Sequence, residues 1–445
     1  MARDQKFVHP LILKFELLTQ GLEVDASARE ALAEATKEGY AIGATGKAFL
    51  DIILKPGKIY VGVPVGDCFA DSLTKGTPFR LEMIDKKWFI TKKQAEINEA
   101  GKEICTNQDK PADVLMEVDL FPKPSYYDKK TSRDLPMGKV MPATGDFGGA
   151  TIEARCDFWG HYDEKLKGYQ CKYCGIGVNL DRGRDRETKT PEDFVETLRE
   201  AREFKHFRHG PVFAGGAYPA PDRGHRIHAR YLKALREAFP DNWLRLTIAP
   251  PDNEEDVDLL FSAGVNLVGY NYEIFDPKLY SILCPGKFHF INKGQGHEHY
   301  DRILSYGVRK FGQGTFHANL LTGLEPLEST VRGIEHLASL GVMPTIFVFH
   351  PLKGTDLAQQ PTASVFDLIY VYRELKEITE KYRIDTACSG CHRMMVNTKV
   401  FEGIIPFMPE ITDEDIERSG LPSQKVVSAP KQKFSLVLPE TQMPK

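Results

Sequence analysis

The sequence predicts an α/β fold, a partial (β/α)6 TIM-like barrel with a small N-terminal α+β domain. From about residue 150 onward, short apolar segments alternate with amphipathic segments of helical periodicity. Six such pairs follow one another, a pattern typical of a parallel sheet with helices outside. Six units suit a partial barrel, in which reactive groups lie at the carboxyl-terminal ends of the strands. The first 145 or so residues lack this alternation.

The predicted barrel elements follow in a regular order. The strands are "GGATIEARC", which ends at Cys156, and then "PVFAGG", "LRLTIAP", "NLVGYNYE", "GTFHANLLTG" and "MPTIFVFH". The helices are "TKTPEDFVETLREAREF", residues 226–239, "EEDVDLLFSAG", "HEHYDRILSYGVRKFG", "LESTVRGIEHLASLG" and "VFDLIYVYRELKEITEKY". In the first helix we expect Thr190 as the N-cap and Pro191 at the first helical position.

The chain divides into three predicted regions. Residues 1–145 form the accessory domain, with an Ala-rich helix "DASAREALAEATKEGY", strand pairs and a Pro-rich connector. Residues 146–400 form the barrel. Residues 401–445 form a C-terminal tail, which we expect to be loop or partly disordered because it is rich in Pro, Ser and Lys.

Composition limits the class of protein. Hydrophobic residues make up 42% of the 445 residues and charged residues 27%, which is ordinary for a soluble globular protein. The net charge of −4 argues against a nucleic-acid substrate. No apolar run is long enough for a membrane helix, and the N-terminus lacks a signal-peptide core. We therefore expect a cytoplasmic protein whose eight cysteines are reduced and serve metal binding or redox chemistry.

Three cysteines form the most informative motif. Cys171 and Cys174 are separated by two residues, and Cys156 lies 14 residues upstream of the pair. Three thiolates without a fourth partner leave one iron of a [4Fe–4S] cluster free to bind a substrate or cofactor. The alternative is a structural zinc site, which needs four ligands and would join this pair to Cys388 and Cys391.

The segment "ACSGCHRMMVN" brings Cys388, Cys391 and His392 together. Two thiolates and an imidazole can ligate an auxiliary Fe–S cluster or a metal; the alternative is a CxxC pair without metal. A fourth ligand would come from elsewhere, with Cys68, Cys105 and Cys284 available. The simplest interpretation of Cys68 and Cys284 is that each is a single buried thiol.

Two histidines are weaker candidates for catalysis. His317 and His350 lie on predicted barrel strands, towards their carboxyl-terminal ends, where an inward imidazole could carry a proton or contact a substrate. Core packing is the alternative for both. Asn319 and Lys353 are comparable candidates.

The ordered series "CKYCGIG", "AGG" at residues 214–216 and "NYE" resembles the radical S-adenosylmethionine (radical SAM) superfamily, and specifically its biotin synthase- and lipoyl synthase-like branch. The resemblance covers about residues 120–395. It implies that Cys156, Cys171 and Cys174 hold a [4Fe–4S] cluster and that Tyr173 lies against the adenine of SAM. It also implies that Gly215 and Gly216 receive the methionine amino group and that Glu273 contacts the ribose or the methionine end.

Two positions depart from the family pattern. The commonest spacing between the first two cysteines is three residues, and here it is 14. The glycine motif often ends in an acid, and Ala217 stands in that place. Amino-group binding would then rely on backbone carbonyls or on Glu273.

The resemblance implies an oxygen-sensitive enzyme that cleaves SAM reductively. The resulting 5′-deoxyadenosyl radical would abstract hydrogen from a small-molecule substrate, with sulfur insertion or rearrangement among the outcomes. The electron would come from a donor such as flavodoxin or ferredoxin. The alternative is a zinc-stabilised binding or assembly protein without catalytic activity, built on a barrel scaffold.

Overall fold

A computed structural model describes most of the chain. The described residues are 6–37, 49–55, 59–65, 69–99, 101–106, 111–144, 147–150, 168–175, 188–205, 207, 209–214, 218, 220–384, 393–398, 400–401 and 406–438. Among the helices of these residues, none combines the length and the apolar character that crossing a membrane requires.

The N-terminal part is built on a six-stranded sheet. Its elements are α1 Pro10–Gln20, β1 Glu23–Val24, α2 Ala26–Lys37, β2 Phe49–Leu54, β3 Ile59–Pro64, α3 Asp71–Thr74, β4 Phe79–Ile84, β5 Lys87–Lys92, β6 Ala95–Ile97, β7 Glu103–Cys105 and β8 Asp113–Leu120. The strand order is β1-β4-β5-β8-β2-β3, and every pairing except that of β1 with β4 is antiparallel. Strands β6 and β7 form a separate hairpin.

The second sheet is the barrel sheet. After a 3-10 turn Ser125–Asp128 and α4 Met137–Val140, its strands are β9 Ala143–Thr144, β10 Phe147–Ala150, β11 His209–Ala214, β12 Arg245–Ile248, β13 Leu267–Tyr270, β14 Phe316–Thr322 and β15 Met343–Val348. Strands β10 to β15 lie side by side in chain order and are all parallel, while β9 pairs antiparallel with β10. The predicted partial (β/α)6 barrel is therefore confirmed.

The barrel helices follow the strands as predicted. They are α5 Pro191–Ala201, α6 His225–Ala238, α7 Glu255–Ser262, α8 Pro277–Leu283, α9 Glu298–Phe311, α10 Leu327–Ser339 and α11 Val365–Lys381. Helix α5 begins with a capping box in which the Thr190 hydroxyl accepts from Asp193 N, and Pro191 occupies the first turn. The sequence interpretation did not include α1, α8 or the π-helical turn Lys287–Ile291 that follows α8.

Residues 393–398 cover the outer edge of the last barrel strand. Met395 pairs antiparallel with Phe347 of β15, Val396 N donates to Ile346 O (2.8 Å), and the Asn397 side chain bonds the backbone of residues 344 and 346. An open sheet edge leaves unpaired backbone groups, and this segment satisfies them.

The C-terminal tail contains helices, contrary to the expectation of loop. After the strand pair β16 Val400–Phe401 and β17 Pro406–Phe407, the chain forms α12 Asp413–Arg418 and α13 Ser423–Ser428. A capping box between Thr412 and Asp415 starts α12, and Ile416 and Val426 are buried. Burial of these apolar side chains in the core thus outweighs the tail's polar composition. The boundaries at 145 and 400 stay predictions.

Candidate functional site

The Cys171–Cys174 pair forms a tight turn. Cys174 N donates a hydrogen bond to Cys171 O (3.0 Å), and both cysteines are half-buried. Cys156, the third predicted ligand, lies outside the described residues. Two of the three predicted cluster ligands therefore share one short, partly enclosed turn.

A distant segment pairs with this turn and adds a third thiol. Lys172 N donates to Leu283 O and Gly286 N donates to Tyr169 O, both at 2.9 Å. These bonds bring Cys284 beside the turn, fully buried, with the Tyr173 hydroxyl 3.4 Å from Cys284 Sγ. Cys284 is therefore a buried thiol, as expected, but it lies against the cysteine turn.

The pKa values of the neighbouring Cys171 and Cys284 thiols shift in opposite directions. A hydrogen bond from Cys284 lowers the pKa of Cys171 below its usual value, and nearby Lys287 acts in the same direction. Burial raises the pKa of Cys284 well above its usual value, and contact with Cys171 adds to this. Cys171 is therefore the more acidic thiol of the pair.

Glu273 lies at the barrel mouth, the edge formed by the carboxyl-terminal ends of the parallel strands. Its backbone has φ +70°, a left-handed conformation uncommon for a residue other than glycine. Two hydrogen bonds to β14 hold it there: Glu273 N donates to Asn319 O (2.7 Å), and Leu321 N donates to Glu273 O (2.8 Å). Backbone strain of this kind is often found at functional sites.

Lys287 forms an ion pair with the Glu273 carboxylate, and both side chains are largely buried. Burial disfavours the charged lysine, but Glu273 and neighbouring tyrosine and cysteine groups raise the pKa of Lys287 well above its usual value. The mouth therefore presents a fixed ammonium and a fixed carboxylate beside the thiols.

Glu325 ties the loop after β13 to the loop after β14. Its buried carboxyl group accepts hydrogen bonds from Phe275 N and Asp276 N at 2.8–3.2 Å. Burial raises the pKa of Glu325 to about 7. This contact fixes the chain immediately after Glu273.

Polar side chains fill the barrel below the mouth. Arg245 Nε donates to His317 Nε2 (3.0 Å), and the Asn319 amide donates to Asn271 Oδ1 (2.7 Å). Thr345 donates a hydrogen bond to Asn319 as well. Residues 245 and 247 on β12 and 317 and 319 on β14 share a face because strand side chains alternate. These side chains form a polar column inside the barrel. Their spacing at every second position of otherwise apolar strands could have revealed this polar column from the sequence.

The structure corrects the position predicted for His317. It is the second residue of β14 and therefore lies near the amino-terminal end of the strand, not the carboxyl-terminal end. Gly312 (φ +97°) and Gly314 (φ +84°) form the preceding turn, which delays the start of the strand. The imidazole does point into the barrel, against Arg245.

His350 and Lys353 contact the N-terminal part. His350 follows β15, and its Nε2 lies 2.8 Å from Leu18 O, with its ring edge-on to Phe49 and Phe69. Lys353 pairs with Asp71 of α3 (2.9 Å). Both side chains therefore connect the loop after β15 to the N-terminal part of the chain.

Several predicted site residues lie outside the described part of the chain. They are Cys68, Cys156, Gly215, Gly216, Ala217, Cys388, Cys391 and His392. Within the described part, no three His, Cys, Asp or Glu side chains converge as a metal site. Cys105 is described and lies on the separate hairpin strand β7.

The thiols present fit an iron–sulfur cluster. Such clusters take Cys thiolates, and Cys171 and Cys174 place two cysteine sulfurs on one turn, with the pKa of Cys171 lowered. Lys287 and Cys284, which sequence analysis did not assign to this site, supply positive charge and a thiol hydrogen bond beside them.

Comparison with known proteins identifies the region around these residues. Residues 168–349 match the model of the Radical SAM superfamily. A bacteriochlorophyllide c C-7(1)-hydroxylase from Chlorobaculum limnaeum is 27% identical over 157 residues, which cover 34% of this chain and 38% of that protein.

Two solved structures are similar to this chain at low identity. Coproporphyrinogen III oxidase (HemN) from Escherichia coli, described as a radical SAM enzyme, is 21% identical over 39% of this chain and 41% of its own, with a TM-score of 0.30. Methylornithine synthase (PylB) is 18% identical over 54% and 65%, with a TM-score of 0.38. The chain thus spans less than half the length of the hydroxylase and the oxidase. Residues 168–349 form a radical SAM superfamily domain, which implies a [4Fe–4S] cluster and S-adenosylmethionine as cofactors.

Proposed function

We propose that this protein is a radical SAM enzyme that acts on a small-molecule substrate. The observation that carries the proposal is the Cys171–Cys174 turn beside the Glu273–Lys287 ion pair, at the mouth of a parallel half-barrel and within the matched domain. The bound cofactors supply one-electron cleavage of SAM to a 5′-deoxyadenosyl radical, which abstracts hydrogen from the substrate.

The chain's own residues bind and orient these groups. Cys156, Cys171 and Cys174 hold the cluster, and Tyr173 takes the adenine. Gly215, Gly216 and Ala217 receive the methionine amino group. Glu273 contacts the ribose or the methionine end, and a molecule that reaches Glu273 also meets the Lys287 ammonium paired with it.

The polar column beneath the mouth supports a substrate with hydrogen-bonding groups. The side-chain amide of Asn319 donates to Asn271, and Thr345 donates to Asn319, so a polar substrate group could replace one of these bonds. Sulfur insertion or rearrangement of the substrate is among the outcomes that the proposal includes.

The second cysteine pair belongs to the proposal as an auxiliary metal site. Cys388 and Cys391 precede Arg393, and the chain enters the described part again beside β15, whose carboxyl-terminal end borders the mouth. Two clusters would suit sulfur donation or a second electron-transfer step.

Three finer expectations remain part of this proposal. The order of the motifs supports the biotin synthase- and lipoyl synthase-like branch. A low-potential donor such as flavodoxin or ferredoxin supplies the electron, and the cytoplasm is the reducing compartment that suits an oxygen-sensitive cluster.

The test is anaerobic reconstitution with iron and sulfide, followed by dithionite, SAM and chromatography for 5′-deoxyadenosine. Wild-type protein should form 5′-deoxyadenosine, and Cys174→Ala should lose it together with the cluster. Cys105→Ala, on the separate hairpin, is the matched control and should keep it. About four irons per chain indicate one cluster and about eight indicate two. If wild type holds about eight irons per chain, Cys388→Ala should hold about four.

The zinc-stabilised alternative is not favoured, because its first cysteine pair lies in a radical SAM domain. A colourless wild-type protein that holds one zinc and forms no 5′-deoxyadenosine would overturn the proposed enzyme.

A further inference from the structure

Cys284 is positioned to act on Cys171 and not only to fill space. Its backbone is fixed at the end of α8, where Cys284 N donates to Tyr280 O (2.9 Å). The two backbone bonds between residues 169–172 and 283–286 fix the cysteine turn relative to it. Cys284 therefore lies in the buried cluster against which Cys171 packs.

Among the residues that the structure describes, the Cys284 thiol lies in a largely apolar pocket. Buried apolar side chains pack around it, from Ile274, Tyr280, Leu283, Leu324, Phe349 and Leu357. Its sulfur contacts the Tyr173 hydroxyl at 3.4 Å and Cys171. A thiol of ordinary pKa carries its proton at neutral pH, so the Cys284 S–H can donate a hydrogen bond. Its proton is therefore available to Cys171.

We propose that Cys284 is a positioning residue of the cluster site, whose S–H donates a hydrogen bond to Cys171 Sγ and so raises the reduction potential of the cluster that Cys171 holds. The inference rests on the proposed function, because it requires a cluster on Cys171. Nothing in the family resemblance assigns a role to this residue.

The physical basis is the stabilisation of negative charge. Reduction adds one electron to the cluster, and part of the added charge resides on the cysteine sulfurs, so a donor to one of them stabilises the reduced form more than the oxidised form. The effect is larger where water is excluded, because the local dielectric constant is low. Cys284 meets this condition since it is fully buried.

The test is a redox titration of the reconstituted protein followed by electron paramagnetic resonance, without SAM. A Cys388→Ala background leaves one cluster to observe. Cys284→Ala should shift the midpoint to a more negative potential, by up to about tenfold in the reduction equilibrium, which is about 59 mV for a one-electron couple. Iron per chain should stay unchanged.

Two further variants separate hydrogen bonding from packing. Cys284→Val fills a similar volume without a donor and should match Cys284→Ala, whereas Cys284→Ser keeps a donor and should lie near wild type. Equal midpoints in wild type, Ala and Val would overturn the inference. Loss of iron in all three variants would overturn it too, because Cys284 would then be a ligand. A wild-type protein that takes up no iron would instead overturn the proposed function.

Discussion

Glu273 combines a strained backbone with a charged side chain at the barrel mouth. A left-handed φ in a residue other than glycine costs about 1–3 kcal/mol, and here two hydrogen bonds to β14 maintain it. The strain directs the carboxylate towards Lys287 and the cysteine turn. The binding role inferred for Glu273 from the "NYE" motif stays a prediction.

Replacing this carboxylate should weaken cofactor binding. We expect Glu273→Gln to raise the Kd for SAM by about 10- to 100-fold, or about 1.4–2.8 kcal/mol, because the amide cannot accept charge-assisted hydrogen bonds with both oxygens. Anaerobic equilibrium dialysis of the reconstituted protein measures this. Glu298→Gln, at an exposed position on α9, is the control and should bind SAM like wild type. Equal affinities for Glu273→Gln and wild type would remove Glu273 from the site.

Glu325 should make stability depend on pH. Its folded-state pKa of about 7 lies above the ordinary 4.5, so the folded protein holds a proton that the unfolded chain has lost between these values. Stability is then highest below about pH 4.5 from this group and falls as pH rises through 7, by about 3 kcal/mol at most.

Glu325→Gln should remove this dependence, because a neutral amide oxygen can accept from Phe275 N and Asp276 N without titrating. Denaturation midpoints between pH 5 and 8 measure the difference between variant and wild type. Glu328→Gln, an exposed neighbour on α10, should keep the wild-type profile. Parallel profiles for Glu325→Gln and wild type would contradict the assigned burial effect.

At the scale of elements, strand β13 depends on a glycine. The His317 ring of β14 packs against Gly269, and a Cβ added there would collide with it. The imidazole is held by Arg245 and cannot move away freely. These two strands can therefore approach each other closely inside the barrel only because residue 269 has no side chain.

Gly269→Ala should destabilise the protein by about 1–3 kcal/mol, the usual cost of overpacking a core. The measurement is the shift of the urea denaturation midpoint. Removing the ring should relieve the collision, so the same substitution should cost less in a His317→Ala background. A penalty that is equal in both backgrounds would show that the ring is not its cause.

Sequence patterns predicted the repeating elements well because their signals are local. Thr190, Pro191 and the acidic first turn fix the start of α5, and apolar runs fix the strands. Lys287 and Cys284 were not placed at the site because hydrogen bonds between residues 169–172 and 283–286 bring them there. Such long-range pairing leaves no periodic signal. His317 was misplaced because two glycines delay its strand.

At the scale of the whole molecule, the N-terminal part contacts the barrel through buried polar groups. Asp51 of β2 pairs with Arg393, which begins the segment along β15, and both side chains are almost fully buried. Lys14 of α1, also buried, donates to Thr398 at the other end of that segment (2.6 Å). The six-stranded sheet and the edge of the barrel thus share one set of contacts.

Breaking the buried ion pair should be costly. Asp51→Ala leaves Arg393 charged and buried, and we expect a loss of about 3–5 kcal/mol in a denaturation experiment. Asp113→Ala breaks the exposed pair with Lys6 and should cost at most about 1 kcal/mol. Similar losses in the two variants would contradict the burial argument.

Residues 393–398, which lie along β15, affect which fragment of the chain can be expressed alone. A polypeptide limited to residues 168–349 would lack β10 at one side of the sheet and residues 393–398 at the other. Both flanking strands, β11 and β15, would then expose unpaired backbone groups, which readily join other chains edge to edge. Residues 168–349 are therefore shorter than the unit in which both of these strands are paired. Their expression alone should give aggregates.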